Sequence, residues 1–234
     1  MTGLHWSKQY EQDLEAIRSQ VLLMGGLVEE QFRNAIHALD KGDAVLAGMV
    51  IGMDEEVNRM QVALDRASTE LIVRRQPAAG DLRTVIATMR VLTDIERIGD
   101  EVTKVARAAK NLQTRNLLLT SPYRSIRAIA ATATRMLHDA LDAYARLDRG
   151  QAIKVMAMDD ELDEAFHEMM RSLITYMMEE PKTISASLDM LWAAKAIERI
   201  GDHATNIGEH VIYVLDGEDI RHRDHAGKAG EVVG

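Results

Sequence analysis

Ile95-Glu96-Arg97-Ile98-Gly99-Asp100 recurs unchanged as Ile197-Glu198-Arg199-Ile200-Gly201-Asp202, 102 residues further along the chain. Six identical residues at a fixed offset mark an internal duplication. Each copy sets a Glu and an Asp four positions apart. On a helix that spacing places two like charges about one turn apart on one face, at a cost of roughly 0.2–0.5 kcal/mol. A positive partner is therefore expected beside each pair.

The duplication continues beyond these six residues. Asp43, Ala47, Met53, Asp54 and Val57 align with Asp148, Ala152, Met158, Asp159 and Leu162 at an offset of 105, and Pro77 aligns with Pro181 at 104. The unit is far longer than the repeats of about 34 residues that build helical-hairpin solenoids. Three prolines in the whole chain, 4% aromatic residues and few β-branched runs favour helix over sheet. Apolar residues recur at helical spacing, as in Leu14, Ile17, Val21, Met24, Val28 and Phe32, and again in Leu82, Val85, Met89 and Leu92. The pattern predicts six long helices over 8–40, 43–75, 79–114, 122–148, 150–179 and 182–215. Gly42 and Gly150 are read as breaking the first and the fourth, and Ser121-Pro122 as an N-cap followed by Pro at N1. A helix of about 33 residues is roughly 50 Å long, and rods of that length pack as bundles. The expected fold class is all-α: two tandem three-helix bundles over 8–115 and 122–215. Residues 216–234, rich in glycine and charge without an apolar period, are expected to form a mobile tail.

Composition narrows the function classes. The chain has 234 residues, 47% of them apolar, so one or two domains with a sizeable core are expected. With no cysteine, disulfide frameworks and thiolate metal or redox sites are excluded. A net charge of −9 argues against nucleic acid as a partner, because phosphate backbones reward excess Lys and Arg. The N-terminus lacks the basic and apolar regions of a signal peptide, and no run of 18 uncharged apolar residues occurs. A cytoplasmic location is expected, with any membrane association indirect, through partners.

The carboxylates carry the chemistry. Glu96 falls in line with Leu82, Val85, Met89 and Leu92, so it lies on the apolar seam of its helix and not on a solvated face. Glu198 falls in line with Leu191, Ala194, Gly201, Thr205 and Gly208, where small residues leave room for a neighbour or a ligand. On the preceding helix Asp159 and Asp163, four apart, lie close to the stripe of Val155, Met156, Leu162 and Phe166. Four carboxylates facing one another suit a hard cation such as Mg²⁺, Mn²⁺, Ca²⁺ or iron, and disfavour zinc and copper. The first copy offers Asp54, Asn58, Glu96 and Asp100, one charge fewer because Asn58 stands where Asp163 would be. The competing reading is that Arg97, Arg199, Arg90 or Lys195 neutralises Glu96 and Glu198 in register-fixing ion pairs.

Other signals are weaker. Glu164 and His167 have the spacing of a di-iron ligand pair, but only one such pair is present, and His167 reads as a surface residue. Asp202, Asn206 and His210 form an i, i+4, i+8 row, with His210 read as a solvated or capping residue before a peripheral ligand. Gly25-Gly26 reads as close packing or a kink. The fourteen methionines read as adaptable core filler. No nucleophile with base and orienter, no nucleotide loop and no zinc hydrolase motif occurs.

The paired Ile-Glu-Arg-Ile-Gly-Asp segments, the stretch Arg75-Gln76-Pro77-Ala78-Ala79-Gly80-Asp81-Leu82-Arg83, Met24-Gly25-Gly26-Leu27-Val28-Glu29 and Thr175-Tyr176-Met177-Met178-Glu179 resemble the PhoU family over about residues 10–215. The resemblance implies cytoplasmic, usually dimeric proteins of two three-helix bundles that regulate and do not catalyse. Such proteins hold the phosphate-starvation response off when phosphate is plentiful and restrain phosphate uptake. Their implied partners are the ATPase subunit of the phosphate ABC transporter and the sensor histidine kinase of the phosphate two-component system. The family's acidic motifs, implied to bind multinuclear metal, map onto Glu96/Asp100 and Glu198/Asp202, with Asp159/Asp163 and the degenerate Asp54/Asn58 opposite. Asp81 and Arg83 fall in an Asp-Leu-Arg signature that is a candidate regulatory or partner surface. Two other classes remain open beside the adaptor: a di-metal bundle enzyme and a purely structural interaction module.

Overall fold

A computed structural model of the chain describes residues 2–115 and 120–217, all in helices and short connections, without a strand. The first bundle consists of α1 (Thr2–Lys41), α2 (Ala44–Arg75) and α3 (Ala79–Arg115). The second consists of α4 (Thr120–Arg146), α5 (Arg149–Ala157), α6 (Asp159–Glu179), a 3₁₀ turn (Pro181–Thr183) and α7 (Ile184–Asp216). None of these helices is long and apolar enough to cross a membrane. The first-bundle stripe packs as its spacing requires: Ile17, Val21, Met24, Val28 and Phe32 are buried and Leu14 packs against them. A Cβ added at Gly25 would lie 2.7 Å from Leu141 Cδ2, so this glycine lets α1 approach α4 closely. Gly26 faces open space.

Four expectations need correction. The predicted fifth helix, 150–179, is two helices, because the ladder breaks at Met158 and restarts with Asp159, Asp160 and Glu161 in the first turn of α6. Three acids at a helix N-terminus complement the exposed amides and the positive end of the macrodipole. In the first repeat α2 runs through the equivalent Met53 and Asp54 unbroken. Second, Gly42 does end α1 with φ +65°, but its counterpart is Leu147 at φ +51°, and Gly150 lies inside α5. A leucine in the left-handed region costs about 1–2 kcal/mol; the following Asp148, whose carboxylate accepts from Gln151 N, caps the next helix and fixes the turn. Third, Thr120 is already helical, so Pro122 sits inside the first turn of α4 and not at N1. Fourth, the stretch expected as a tail from 216 begins inside a helix: Asp216 closes α7 and pairs with Arg149, and Gly217 caps it, while 218–234 lie outside the described residues.

The bundles meet chiefly along α3 and α7, which run antiparallel: Asn111 reaches Asp189, Glu101 reaches Arg199, and Arg90 stacks on Tyr213 at 5.1 Å. Beside this seam Arg18 of α1 donates to the carbonyls of Tyr144 and Ala145 in the last turn of α4, at 3.1 and 3.3 Å. The repeated glycines are not equivalent in their surroundings. A Cβ at Gly201 would lie 2.1 Å from Leu162 Cδ2 inside the core, whereas at Gly99 the nearest atom is Val57 Cγ1 at 3.4 Å. Gly201→Ala is expected to cost about 2 kcal/mol through overpacking, and Gly99→Ala less than about 0.5 kcal/mol because helix propensity offsets mild crowding. Urea unfolding of the two variants side by side checks this; equal midpoints would refute it.

Candidate functional site

In the second bundle, α6 and α7 bring the sequence-predicted acids together. Asp163, Glu198 and Asp202 each present a carboxylate oxygen within 4.8 Å of the others. Asp159, one turn before Asp163, accepts a hydrogen bond from Thr205 Oγ1 at 3.1 Å and completes the acidic wall. Burial, with the Glu198 and Asp159 charges next, pushes the Asp202 carboxyl up to about 6, against a slight pull from Lys195. Burial and the Asp163 charge likewise hold Asp159 above the usual carboxylate range. Glu198 is buried: one oxygen, Oε1, pairs with Lys195 Nζ, while Oε2 is enclosed without a hydrogen-bond partner.

The first bundle builds a thinner copy. Asp54 Oδ2 accepts from Asn58 Nδ2 at 3.3 Å, and Asp54 Oδ1 is buried without a partner. Burial and the Asp100 charge raise both Asp54 and Glu96, which places Asp54, Glu96 and Asp100 in one electrostatic cluster. Among the described residues, only the trio in the second bundle brings three metal-competent side chains within 4.8 Å of one another.

All-oxygen donors, the raised carboxyls of Asp159 and Asp202 in one cluster and of Asp54 and Glu96 in the other, and a buried orphan oxygen in each fit a hard cation better than solvent. Such an ion would be held by Asp163, Glu198 and Asp202 with Asp159 at the margin. It would supply positive charge that neutralises the wall and, with open coordination positions, a bridging point for anionic groups.

Of the candidate neutralisers, Lys195 pairs with Glu198, but Arg199 turns across the seam to Glu101 at 3.3 Å. Glu164 and His167 are exposed, the imidazole against the Asp163 carbonyl at 2.7 Å. Asp81 is exposed in the first turn of α3, and its carbonyl accepts from Tyr10 Oη at 2.9 Å. Arg83 lies over the C-terminus of α7: a Cβ at Gly217, which has φ +75°, would fall 2.0 Å from Arg83 Nη1. A guanidinium there complements the negative end of the helix.

Sequence reasoning missed one centre. Asp94 of α3, 5% exposed, receives three groups of α7: His203 Nδ1 at 2.9 Å and Asn206 Nδ2 at 3.2 Å on Oδ1, and His210 Nε2 at 2.9 Å on Oδ2. Burial alone would raise this carboxyl; the two histidines outweigh it and bring it down to about 2. His210, read from sequence as solvated or capping, is buried. Two signals were available: a carboxylate inside the apolar run Val91-Leu92-Thr93-Asp94-Ile95, and two histidines seven apart on the apolar face of α7.

The PhoU domain profile matches residues 21–109 and again 126–211, one match in each bundle. The chain belongs to the PhoU family. It is 44% identical over 232 residues to the phosphate-specific transport system accessory protein PhoU homolog of Pseudomonas putida, covering 98% of this chain and 90% of that protein. The phosphate-specific transport system accessory protein PhoU of Escherichia coli K12 is 42% identical, covering 93% and 90%. The crystal structure of PhoU from Pseudomonas aeruginosa superposes with a TM-score of 0.87 at 42% identity, over 89% of this chain and 100% of that one. The structure of the phosphate transport system regulatory protein PhoU from Streptococcus pneumoniae gives 0.83 at 26% identity, over 90% and 98%. The PhoU architecture, two tandem three-helix bundles, is thus shared nearly end to end.

Proposed function

We propose that this chain is a cytoplasmic, non-enzymatic negative regulator of the phosphate-starvation response and of phosphate uptake. It acts as a homodimeric adaptor between the ATPase subunit of the phosphate ABC transporter and the sensor histidine kinase. The observation that carries this reading is the end-to-end similarity to accessory proteins of phosphate-specific transport, at 42–44% identity over nine-tenths of each chain. The working parts are a first repeat over 8–115 and a second over 122–215. Hard cations occupy Asp159, Asp163, Glu198 and Asp202 and, more weakly, Asp54, Asn58, Glu96 and Asp100. Asp81, exposed at the head of α3, and Arg83 beside it contribute to the partner surface.

Deletion from the chromosome tests the reading. Alkaline phosphatase output is expected to become constitutive in high phosphate and to be repressed again by the wild-type chain. Normal repression in the deletion strain would overturn the assignment. Tagged transporter ATPase or sensor kinase is expected to retain the chain from cells grown in high phosphate. Metal content is a separate question, answered by elemental analysis of protein purified without chelator. Wild type is expected to hold metal and the Glu198→Ala/Asp202→Ala variant to lose it; equal content would make the acids structural only.

A further inference from the structure

Lys195 precedes Glu198 by one turn of α7, and its ammonium pairs with Glu198 Oε1 while Oε2 is buried without a partner. The same ammonium at the same time lies 5.4 Å from the centroid of the Phe166 ring on α6. Its side chain is 44% exposed, so it can leave for solvent, whereas the Glu198 side chain, 9% exposed, cannot follow. The first repeat lacks this device. At the 102-residue offset Lys195 becomes Thr93, whose hydroxyl donates to the Met89 carbonyl at 3.0 Å. Asn58 replaces Asp163 in that repeat. The second repeat therefore has a carboxylate where the first has Asn58, and a lysine where the first has Thr93.

We propose that Lys195 is a built-in competitor for the cation of the second cluster, occupying Glu198 until a divalent metal displaces it. This rests on the metal reading of Glu198 and Asp202. The tether weakens the site that has the most carboxylates, so its loading is reversible and its two states differ at the surface. Unloaded, the ammonium is held on Glu198; loaded, it is released to solvent. A cluster of four acids without the lysine would hold its ion more tightly than one whose ligand is already paired.

The test is titration of the full chain with Mn²⁺ by calorimetry, in a Glu96→Gln/Asp100→Asn background that leaves only the second cluster. Lys195→Met is expected to bind Mn²⁺ about tenfold more tightly than Lys195, and Lys195→Arg, which keeps the charge, within about twofold of it. Lys195→Thr, the residue type of the first repeat, serves if Lys195→Met loses its helical circular dichroism. A measurement without any substitution at 195 accompanies these: mass-spectrometric acylation of the Lys195 amine is expected to accelerate several-fold on Mn²⁺ saturation. Unchanged or weaker Mn²⁺ affinity in helical Lys195→Met or Lys195→Thr, or an acylation rate indifferent to Mn²⁺, overturns the proposal. If wild type binds Mn²⁺ and the Lys195 variants match it, only the competitor role fails. If neither binds, the metal reading fails with it.

Discussion

Asp94→Ala is expected to lower the unfolding free energy by about 3 kcal/mol, the cost of removing one partner from a buried, hydrogen-bonded charged cluster. Truncation leaves His203, His210 and Asn206 facing a cavity between α3 and α7 with their acceptor gone. These helices form the main contact between the bundles, so the loss is expected in one cooperative transition with an unchanged urea m-value. The pH dependence follows from the carboxyl being held at about 2 in the fold against an ordinary value of 3.8. A depressed carboxylate stabilises fully above its unfolded value, and that contribution is lost as pH falls through the folded one. About 2 kcal/mol of wild-type stability is therefore expected to disappear between about pH 4 and pH 2, and Asp94→Ala is expected to lack that increment. Urea denaturation at pH 7 and again across the acid range decides it. A variant within about 0.5 kcal/mol of wild type at pH 7 would mean that the cluster contributes no net stability.

The second large effect has the opposite sign in the two states of one site. Asp202→Asn in chelator is expected to stabilise the fold by about 1 kcal/mol, because it removes a charge that is disfavoured by burial and then by Glu198 and Asp159, discounted for the solvent screening of a partly exposed group. The Asp202 carboxyl is raised from 3.8 to about 6. Its favourable contribution is present below the unfolded value and is lost as pH rises through the folded one, so metal-free wild type is expected to weaken between about pH 4 and pH 6. With Mn²⁺ at about a hundred times its dissociation constant, wild type is expected to gain about 2.7 kcal/mol. Asp202→Asn is expected to gain little. Thermal unfolding with EDTA and with Mn²⁺ gives both numbers, and a variant less stable than wild type in EDTA would exclude the burial and repulsion of the Asp202 charge as the governing effect.

Much of this was readable in the chain. The repeated hexapeptide fixed which helices are equivalent, the 3.6-residue stripes gave their cores, and the like-charged pairs marked the two acidic clusters. The break at Met158 was hidden because neither Gly nor Pro marks it; the signal is three consecutive acids, which sequence reading treats as a solvated run. Leu147 was hidden for the opposite reason. A glycine three residues away offered the obvious left-handed position, while the capping aspartate and the turn geometry imposed it on leucine. The Asp94 centre was invisible to reasoning by repetition, since its pieces lie 109 to 116 residues apart on different repeats and have no counterparts in each other's copy. Carry-over from one repeat to its twin finds what the two share and passes over what distinguishes them.

That distinction governs how the halves of the chain recognise each other. Shifted by 102 residues, Asp94 corresponds to Ala196 and His203 to Glu101, itself buried and paired with Lys104 and Arg199. Two first halves docked through this seam would bury Asp94 against Glu101, carboxylate on carboxylate. Two second halves would leave His203 beside the methyl of Ala196. A chain severed between the bundles would therefore reassemble only as a mixed pair, each half refusing its own likeness.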